Sequence, residues 1–80
     1  MTKITLSPFG HMREYIAEKM DIQLDNPTSL GLRQYLSAQF PDARAIIDLC
    51  AFSDDSRIFA EEEKFSDGAQ ISILPPVCGG

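Results

Sequence analysis

The last two residues, Gly79 and Gly80, present a terminal carboxylate on a slender chain. Of the groups in this sequence, this carboxylate is the one to which a chemical role is most readily assigned. Glycine has no Cβ atom, so such an end can enter a narrow channel and adopt backbone angles closed to other residues. The carboxylate is ionised at neutral pH and is a poor electrophile, so a nucleophile attacks it only after activation, for example as a mixed anhydride with AMP. The sequence contains no phosphate-binding glycine-rich loop, and we therefore expect a separate enzyme to activate this end.

The four residues before the two glycines are Pro75, Pro76, Val77 and Cys78. Two successive prolines favour extended polyproline geometry, and neither can donate a hydrogen bond to a sheet. The stretch 75–80 reaches at most about 20 Å, which is enough to enter a deep site on another protein. The pattern predicts an extended tail over 75–80, whereas the ordinary alternative is a frayed end without a role.

Three other side chains have reactive groups. Cys50 lies in an apolar run and is interpreted as a small core residue. Cys78 is either a redox group beside the tail end or the occupant of a position that tolerates small residues, and the second interpretation is favoured. His11 is a single imidazole without companion ligands, so neither catalysis nor a metal is predicted there. Two cysteines supply neither a disulfide framework nor a four-cysteine metal site.

Length and composition restrict the class of function. The chain has 80 residues, enough for one small domain, and its 44% hydrophobic and 24% charged residues are typical of a globular protein. Its net charge is −5 and its basic residues are scattered singly, which disfavours a nucleic-acid partner. No apolar run has the length of a membrane span, and no signal-like segment precedes the first predicted strand, so we expect a cytoplasmic location.

The elements that position the tail are predicted from hydrophobic periodicity. Alternating apolar and polar residues indicate a first strand through Ile4 and Leu6, which Pro8 and Gly10 end. The later predicted strands cover residues 20–25, 49–53, 57–60 and 69–74. The stretch between the first two strands is left unassigned.

One main helix is predicted after the turn at residues 26–29, where a Thr or Ser hydroxyl caps its first N–H groups. Its apolar face recurs every three or four residues and is assigned to the core: Leu32, Tyr35, Leu36 and Phe40. Gly31 lies inside this helix at a cost of about 1 kcal/mol relative to alanine, which suggests a close approach of the helix to the sheet. Pro41 ends the helix, and residues 42–48 add a short helical turn.

The order strand–strand–helix–strand–strand–strand predicts the fold class. It indicates an α+β domain over residues 1–74, in which about five strands form a sheet and the main helix packs on one face.

Residues 67–80, DGAQISILPPVCGG, resemble the C-terminus of the small subunit of molybdopterin synthase, a ubiquitin-like sulfur carrier family shared with the thiamine thiazole sulfur carrier. That family typically ends with an Asp-Gly turn, an apolar strand, Pro-Pro-Val, a small residue and Gly-Gly. Less specific similarities lie at residues 12–14 and 27–33, so the resemblance is spread over essentially the whole chain.

The resemblance implies a β-grasp (ubiquitin-like) fold with a mixed sheet, in which the first and last strands lie parallel at the centre. It also implies a mechanism without a bound cofactor. A ubiquitin-activating-type enzyme uses ATP to adenylate the carboxylate of Gly80, and sulfur from a persulfide donor displaces AMP to leave a thiocarboxylate. The tail then enters the large subunit and delivers sulfur to cyclic pyranopterin monophosphate. The assembly is a heterotetramer in which the small subunit is a protein cosubstrate without catalytic side chains.

The resemblance assigns the site residues as well. Gly80 is the adenylate and thiocarboxylate site, and Gly79 gives the slender approach. Residues expected to contact the large subunit are Leu74, Pro75, Pro76, Val77, Cys78 and Phe9. The family often has aromatic residues just before Pro-Pro, where this sequence has Ile73 and Leu74, so the anchoring contact is expected to have a different shape.

Three alternatives remain open from the sequence. The first is a carrier of the same fold for another pathway, such as thiamine thiazole or sulfur amino acid synthesis, although Pro-Pro before the tail favours molybdopterin. The second is a ubiquitin-like modifier that is conjugated to lysines. The third is a binding module whose Gly-Gly is only an end.

Overall fold

The computed structural model describes residues 1–16 and 18–76. Within these residues, one mixed sheet is formed by four strands: β1 (Thr2–Pro8), β2 (Met20–Leu24), β3 (Ala51–Ser53) and β4 (Ala69–Leu74). The strand order is β2-β1-β4-β3, with β1 and β4 parallel and both outer pairs antiparallel. The two parallel strands therefore lie at the centre, as the resemblance implied, and both end at the same edge of the sheet.

The central strands bury the side chains that the alternation predicted. Ile4 and Leu6 of β1 and Ile71 and Ile73 of β4 are at most 1% exposed, and Leu6 lies opposite Ile71 in the parallel register. Burying each such side chain contributes about 1.5–3 kcal/mol before the entropy cost of folding is counted. Because alternate residues point to opposite faces of a strand, the register also places Thr5 and Gln70 side by side on the other face.

Helix α1 (Ser29–Gln39) packs on one face of the sheet and begins at the predicted cap. The hydroxyl oxygen of Thr28 accepts the backbone N–H of Gly31 at 3.1 Å. Leu32 and Leu36 are fully buried, and the rings of Tyr35 and Phe40 pack partly buried against the same core. The predicted apolar face is thus confirmed.

The reason inferred for Gly31 is wrong. A Cβ atom at this position would lie 2.0 Å from the carbonyl oxygen of Asn26 and 3.0 Å from its carbonyl carbon, not against the sheet. The turn before the helix folds back over the first helical turn, and only a residue without a side chain leaves room for that carbonyl group.

The segment after α1 agrees with the predicted helical turn. A 3₁₀ turn at Pro41–Ala43 leads into the short helix α2 (Arg44–Ile47), from which Ile47 enters the core. The unassigned stretch after β1 contains a second 3₁₀ helix, Gly10–Glu14, and Met12 from this helix is fully buried. No helix within residues 1–16 and 18–76 is long and apolar enough to cross a membrane.

Two strand predictions need correction. The third strand begins at Ala51, because Leu49 lies in the turn that ends α2 and its side chain is 69% exposed. The predicted strand over 57–60 is only an isolated bridge between Ile58 and Ser53, so the sheet has four strands in the described residues. The cause lies in the preceding turn, where the carboxylate of Asp54 accepts the N–H groups of two following residues and so shortens any pairing.

Candidate functional site

The chain leaves the sheet towards its tail where β1 and β4 end together. Pro8 is opposite Ile73 in the register, and the backbone N–H of Phe9 donates to the carbonyl oxygen of Ile73 at 3.2 Å. This bond extends the parallel pairing by one step. Leu74, Pro75 and Pro76 then follow, and all three are half-buried.

The turn after β1 lies against the first residue of the tail. Gly10 has a φ of +57°, a left-handed conformation that favours glycine, and a Cβ atom there would meet the Pro75 ring at 3.5 Å. The space is adequate, so backbone conformation is what favours glycine at this position. The turn directs the preceding ring outwards, and Phe9 is 58% exposed.

A continuous apolar surface surrounds this exit point. We call it the tail-root surface, and its residues are Phe9, Leu49, Ile58, Leu74, Pro75 and Pro76. They line an open hollow of about 420 Å³ together with Gly10 and Ala51. Leu49 and Ile58 are 69% and 61% exposed. Together with Phe9, they make three large hydrophobic residues that face solvent at one place.

Such a surface is suited to association with another protein. Large apolar side chains that cluster in the open, with no core of their own chain to cover them, mark interaction sites in small soluble domains. Covering them with a partner removes apolar area from water at a gain of about 25 cal/mol per Å². The residues of the tail-root surface carry no ionisable group, so this surface can bind a partner but supplies no acid, base or nucleophile.

The structure brings four of the predicted site residues together and leaves the other four outside the described residues. Phe9, Leu74, Pro75 and Pro76 all lie on the tail-root surface. The predicted residues Val77, Cys78, Gly79 and Gly80 lie outside the described part of the chain.

Sequence reasoning missed two members of the surface. Leu49 was assigned to a strand, although it stands just before β3 and points outwards. For Ile58 the sequence did contain a signal. Neighbouring residues in an extended segment face opposite ways, so Ile58 faces outwards where Phe59 packs against the core.

The other reactive side chains lie apart from this surface. No group of three potential metal ligands is close enough together in residues 1–16 and 18–76 to hold an ion. Cys50 is buried in the core, as predicted, and its thiol donates to the carbonyl oxygen of Ile46 at 3.1 Å and lies 3.4 Å from the Met12 sulfur. Burial raises the pKa of the Cys50 thiol to about 11, although the nearby Arg33 charge opposes the shift.

We expect Cys50 to resist alkylation in the folded chain. With a pKa of about 11, its reactive thiolate is roughly one hundredfold scarcer at pH 8 than that of an ordinary thiol. A Cys78→Ser chain leaves Cys50 as the one thiol, and iodoacetamide labelling followed by mass spectrometry should be at least about one hundredfold slower in buffer than in denaturant. Equal labelling rates in buffer and denaturant would contradict the burial of this thiol.

Because folding raises the pKa of the Cys50 thiol, the stability that this thiol contributes is present below pH 9 and is lost as the pH rises towards 11.

Comparisons with known proteins agree with this geometry. The model of the ThiS family matches residues 8–80. A Pyrococcus furiosus protein described as molybdopterin converting factor, subunit 1, has a similar structure, with a TM-score of 0.82 and 16% identity over 96% of this chain and 100% of that one. Small archaeal modifier protein 1 of Haloferax volcanii gives a TM-score of 0.77 and 15% identity, over 96% of this chain and 100% of that one.

A third similar structure is a complex of subunits 1 and 2 of molybdopterin-converting factor from Helicobacter pylori. Its matching chain has a TM-score of 0.68 and 24% identity, over 99% of this chain and 100% of that one. No curated protein sequence matches the chain. The family match spans almost all of the sequence, and each similar structure superimposes over nearly the whole chain. The chain belongs to the ThiS family and has the ubiquitin-like β-grasp fold.

Proposed function

We propose that this chain is a sulfur carrier in molybdopterin biosynthesis that carries sulfur as a thiocarboxylate on Gly80. The observation that carries the proposal is the tail-root surface, since an exposed apolar surface lies at the point from which the chain continues towards Gly79-Gly80. Membership of the ThiS family supports the same role. In this proposal residues 1–74 form the docking domain and residues 75–80 form the tail.

The proposed chemistry takes place at the tail and is catalysed by other proteins. A carboxylate oxygen of Gly80 attacks the α-phosphorus of ATP on a ubiquitin-activating-type enzyme, and pyrophosphate leaves. The terminal sulfur of a donor persulfide attacks the acyl carbon of the adenylate, AMP leaves, and an acyl disulfide remains. A second thiol then attacks the donor sulfur, so that a disulfide and the Gly80 thiocarboxylate are released. The carrier contributes the acyl group and the docking surface.

The proposed acceptor of this sulfur is cyclic pyranopterin monophosphate, held by the large subunit of molybdopterin synthase. The Helicobacter pylori complex of subunits 1 and 2 supports a large subunit as partner. The proposed assembly is a cytoplasmic heterotetramer. On docking, the large subunit would cover the exposed apolar side chains of the tail-root surface. Residues 77–80 would extend beyond the surface into the site of sulfur transfer.

The experiment that tests sulfur carriage is the intact mass of the chain after incubation with ATP, an adenylating enzyme and a persulfide donor. We expect the mass to rise by the replacement of one oxygen with sulfur, and we expect no change in a chain truncated after Gly79. Addition of the large subunit and cyclic pyranopterin monophosphate should then restore the original mass and form molybdopterin. An unchanged mass, when the same enzymes modify a known carrier, would contradict the proposal.

Two other roles are separated by their products. A carrier for thiamine thiazole or sulfur amino acid synthesis would acquire the same thiocarboxylate but would not convert the pterin with the large subunit. The similarity in fold to small archaeal modifier protein 1 favours a modifier as the second candidate. A modifier would form isopeptide bonds between Gly80 and lysines of other proteins, which tryptic peptides bearing the tail remnant would reveal.

A further inference from the structure

Arg33 of helix α1 makes several contacts with the end of α2 and with the segment that follows it. Its Nη1 atom donates to the carbonyl oxygens of Ile47 and Cys50 at 2.6 and 2.8 Å. Its Nε and Nη2 atoms pair with the carboxylate of Glu61, and its guanidinium carbon lies 5.1 Å from the centre of the Phe52 ring. The side chain is only 12% exposed, so an extended part of its surface is used in these contacts.

The two carbonyl groups bound by Arg33 stand on either side of Leu49. The backbone between them is also bonded internally, since Leu49 donates its N–H to Ile46 at 3.0 Å and Cys50 donates its N–H to Ile47 at 3.2 Å. The side chain of Leu49 leaves this turn and projects into solvent on the tail-root surface. Helix α2 has four residues and is too short to hold the turn alone, so the two bonds from Arg33 add to those within the turn and to the burial of Ile47 and Cys50.

We propose that Arg33 is a positioning residue for partner binding, which fixes Leu49 in the tail-root surface before a partner protein docks. This inference rests on the proposed function, because the partner is taken to be the large subunit of molybdopterin synthase. A side chain held in its bound position loses less conformational entropy on association than a mobile one, so a fixed Leu49 increases affinity.

The chemistry of arginine suits this role and that of lysine does not. A guanidinium is planar and presents several N–H donors in a rigid fork, so it can bind two carbonyl oxygens and a carboxylate at once. A lysine ammonium is a compact charge on a flexible stem. Arg33→Lys therefore keeps the charge and much of the buried stem while losing the simultaneous bonds to Ile47 and Cys50.

The first test needs no partner and uses NMR of chains with ¹³C-labelled leucine methyl groups. In Arg33→Lys we expect the Leu49 methyl signals to shift and the amides of Leu49 and Cys50 to exchange with solvent about tenfold faster. Arg57→Lys is the matched control, because Arg57 also pairs with a carboxylate, that of Glu63, and lies 5.0 Å from an aromatic ring centre, that of Phe59. The control should leave the Leu49 signals in place.

Glu61→Gln is a second variant that keeps Arg33 and removes only the charge of its exposed partner. It should move the Leu49 signals in the same direction by a smaller amount, because the carboxylate orients the guanidinium. This variant tests the inference even if Arg33→Lys does not fold. Unchanged Leu49 signals and exchange rates in folded Arg33→Lys, or in Glu61→Gln if the lysine chain is unfolded, would overturn the inference.

The second test is a double-mutant cycle in binding to the large subunit, with Arg33→Lys and Leu49→Ala alone and combined. We expect Arg33→Lys to weaken binding about fivefold when Leu49 is present and less than about twofold when Leu49 is alanine. A loss of the same factor in both backgrounds would show that Arg33 does not act through Leu49. If none of the four chains binds the large subunit, the proposed function fails, while the NMR measurements still decide whether Arg33 positions Leu49.

Discussion

Ile58→Asp is expected to weaken binding of the large subunit about one hundredfold, because it places a charge where the partner would cover an apolar surface. The Ile58 side chain is 61% exposed and lines the tail-root hollow. Its replacement should change the free energy of unfolding by less than about 0.5 kcal/mol, since no core contact is lost. Isothermal titration calorimetry with the large subunit measures the first effect, and urea unfolding of the free chain measures the second.

Leu30→Asp is the matched control for this experiment. Leu30 is also a large exposed aliphatic residue, but it stands in the first turn of α1 and lines a different hollow with Arg33 and Arg44. It introduces the same charge, and we expect binding within about twofold of the unmodified chain. Wild-type affinity in Ile58→Asp, or an equal loss in both variants, would show that binding does not use the tail-root surface.

Gly31→Ala is expected to lower the free energy of unfolding by about 3 kcal/mol or more, although alanine normally stabilises a helix relative to glycine. The new methyl group would lie 2.0 Å from the carbonyl oxygen of Asn26, so the turn and the first turn of α1 must separate. For a chain of 80 residues, whose total stability is about 4–12 kcal/mol, this is a large fraction. The midpoint of thermal unfolding should fall by roughly 15 °C, as measured by circular dichroism.

Gly68→Ala separates this steric effect from the ordinary cost of replacing a glycine. Gly68 has a φ of +84°, and no atom lies within 4 Å of the position that a methyl group would take, so alanine there meets backbone strain without a clash. We expect a loss of about 1–2 kcal/mol. A Gly31→Ala chain as stable as the unmodified one would show that the turn at Asn26 moves aside without cost.

The parts of the fold that were predictable are those that depend on local periodicity. Leu32 and Leu36 recur one helical turn apart, and Ile71 and Ile73 alternate along β4, so each pattern identifies its own buried face. The cap at Thr28 was predictable for the same reason, since its partner N–H lies three residues away. The parallel pairing of β1 with β4 came from the resemblance, because residues so far apart in sequence give no local signal.

The errors arose where individual hydrogen bonds, ion pairs and close contacts, which leave no apolar periodicity in the sequence, decide the structure. The predicted strand over 57–60 has the composition of a strand, yet the turn at Asp54 and the pair between Arg57 and Glu63 leave it a single bridge. The prediction that Gly31 lies close to another part of the chain was correct, but that part is the turn at Asn26 just before the helix and not the sheet. Arg33 was not singled out because its partners lie 14, 17 and 28 residues further along the chain.

The candidate site was predictable in part. Pro75 and Pro76 were identified by their chemistry and Phe9 by the resemblance, and all three lie on one surface. Alternation indicated that Ile58 faces outwards, but the sequence did not indicate that Leu49 and Ile58 meet beside the end of β4, where two separate turns bring them. The assignments of residues 77–80 lie outside the described residues and stay predictions.

The position of β4 has a consequence for how the chain is made. β4 is the neighbour of both β1 and β3, so a nascent chain that stops before residue 69 leaves each of those strands with an open edge. We therefore expect the sheet to form only after this strand has left the ribosome. Every copy that completes the sheet already includes the strand that leads into the tail. The order of the strands thus ties completion of the sheet to synthesis of the strand that leads into the tail, so a folded sheet reports that translation has passed residue 74.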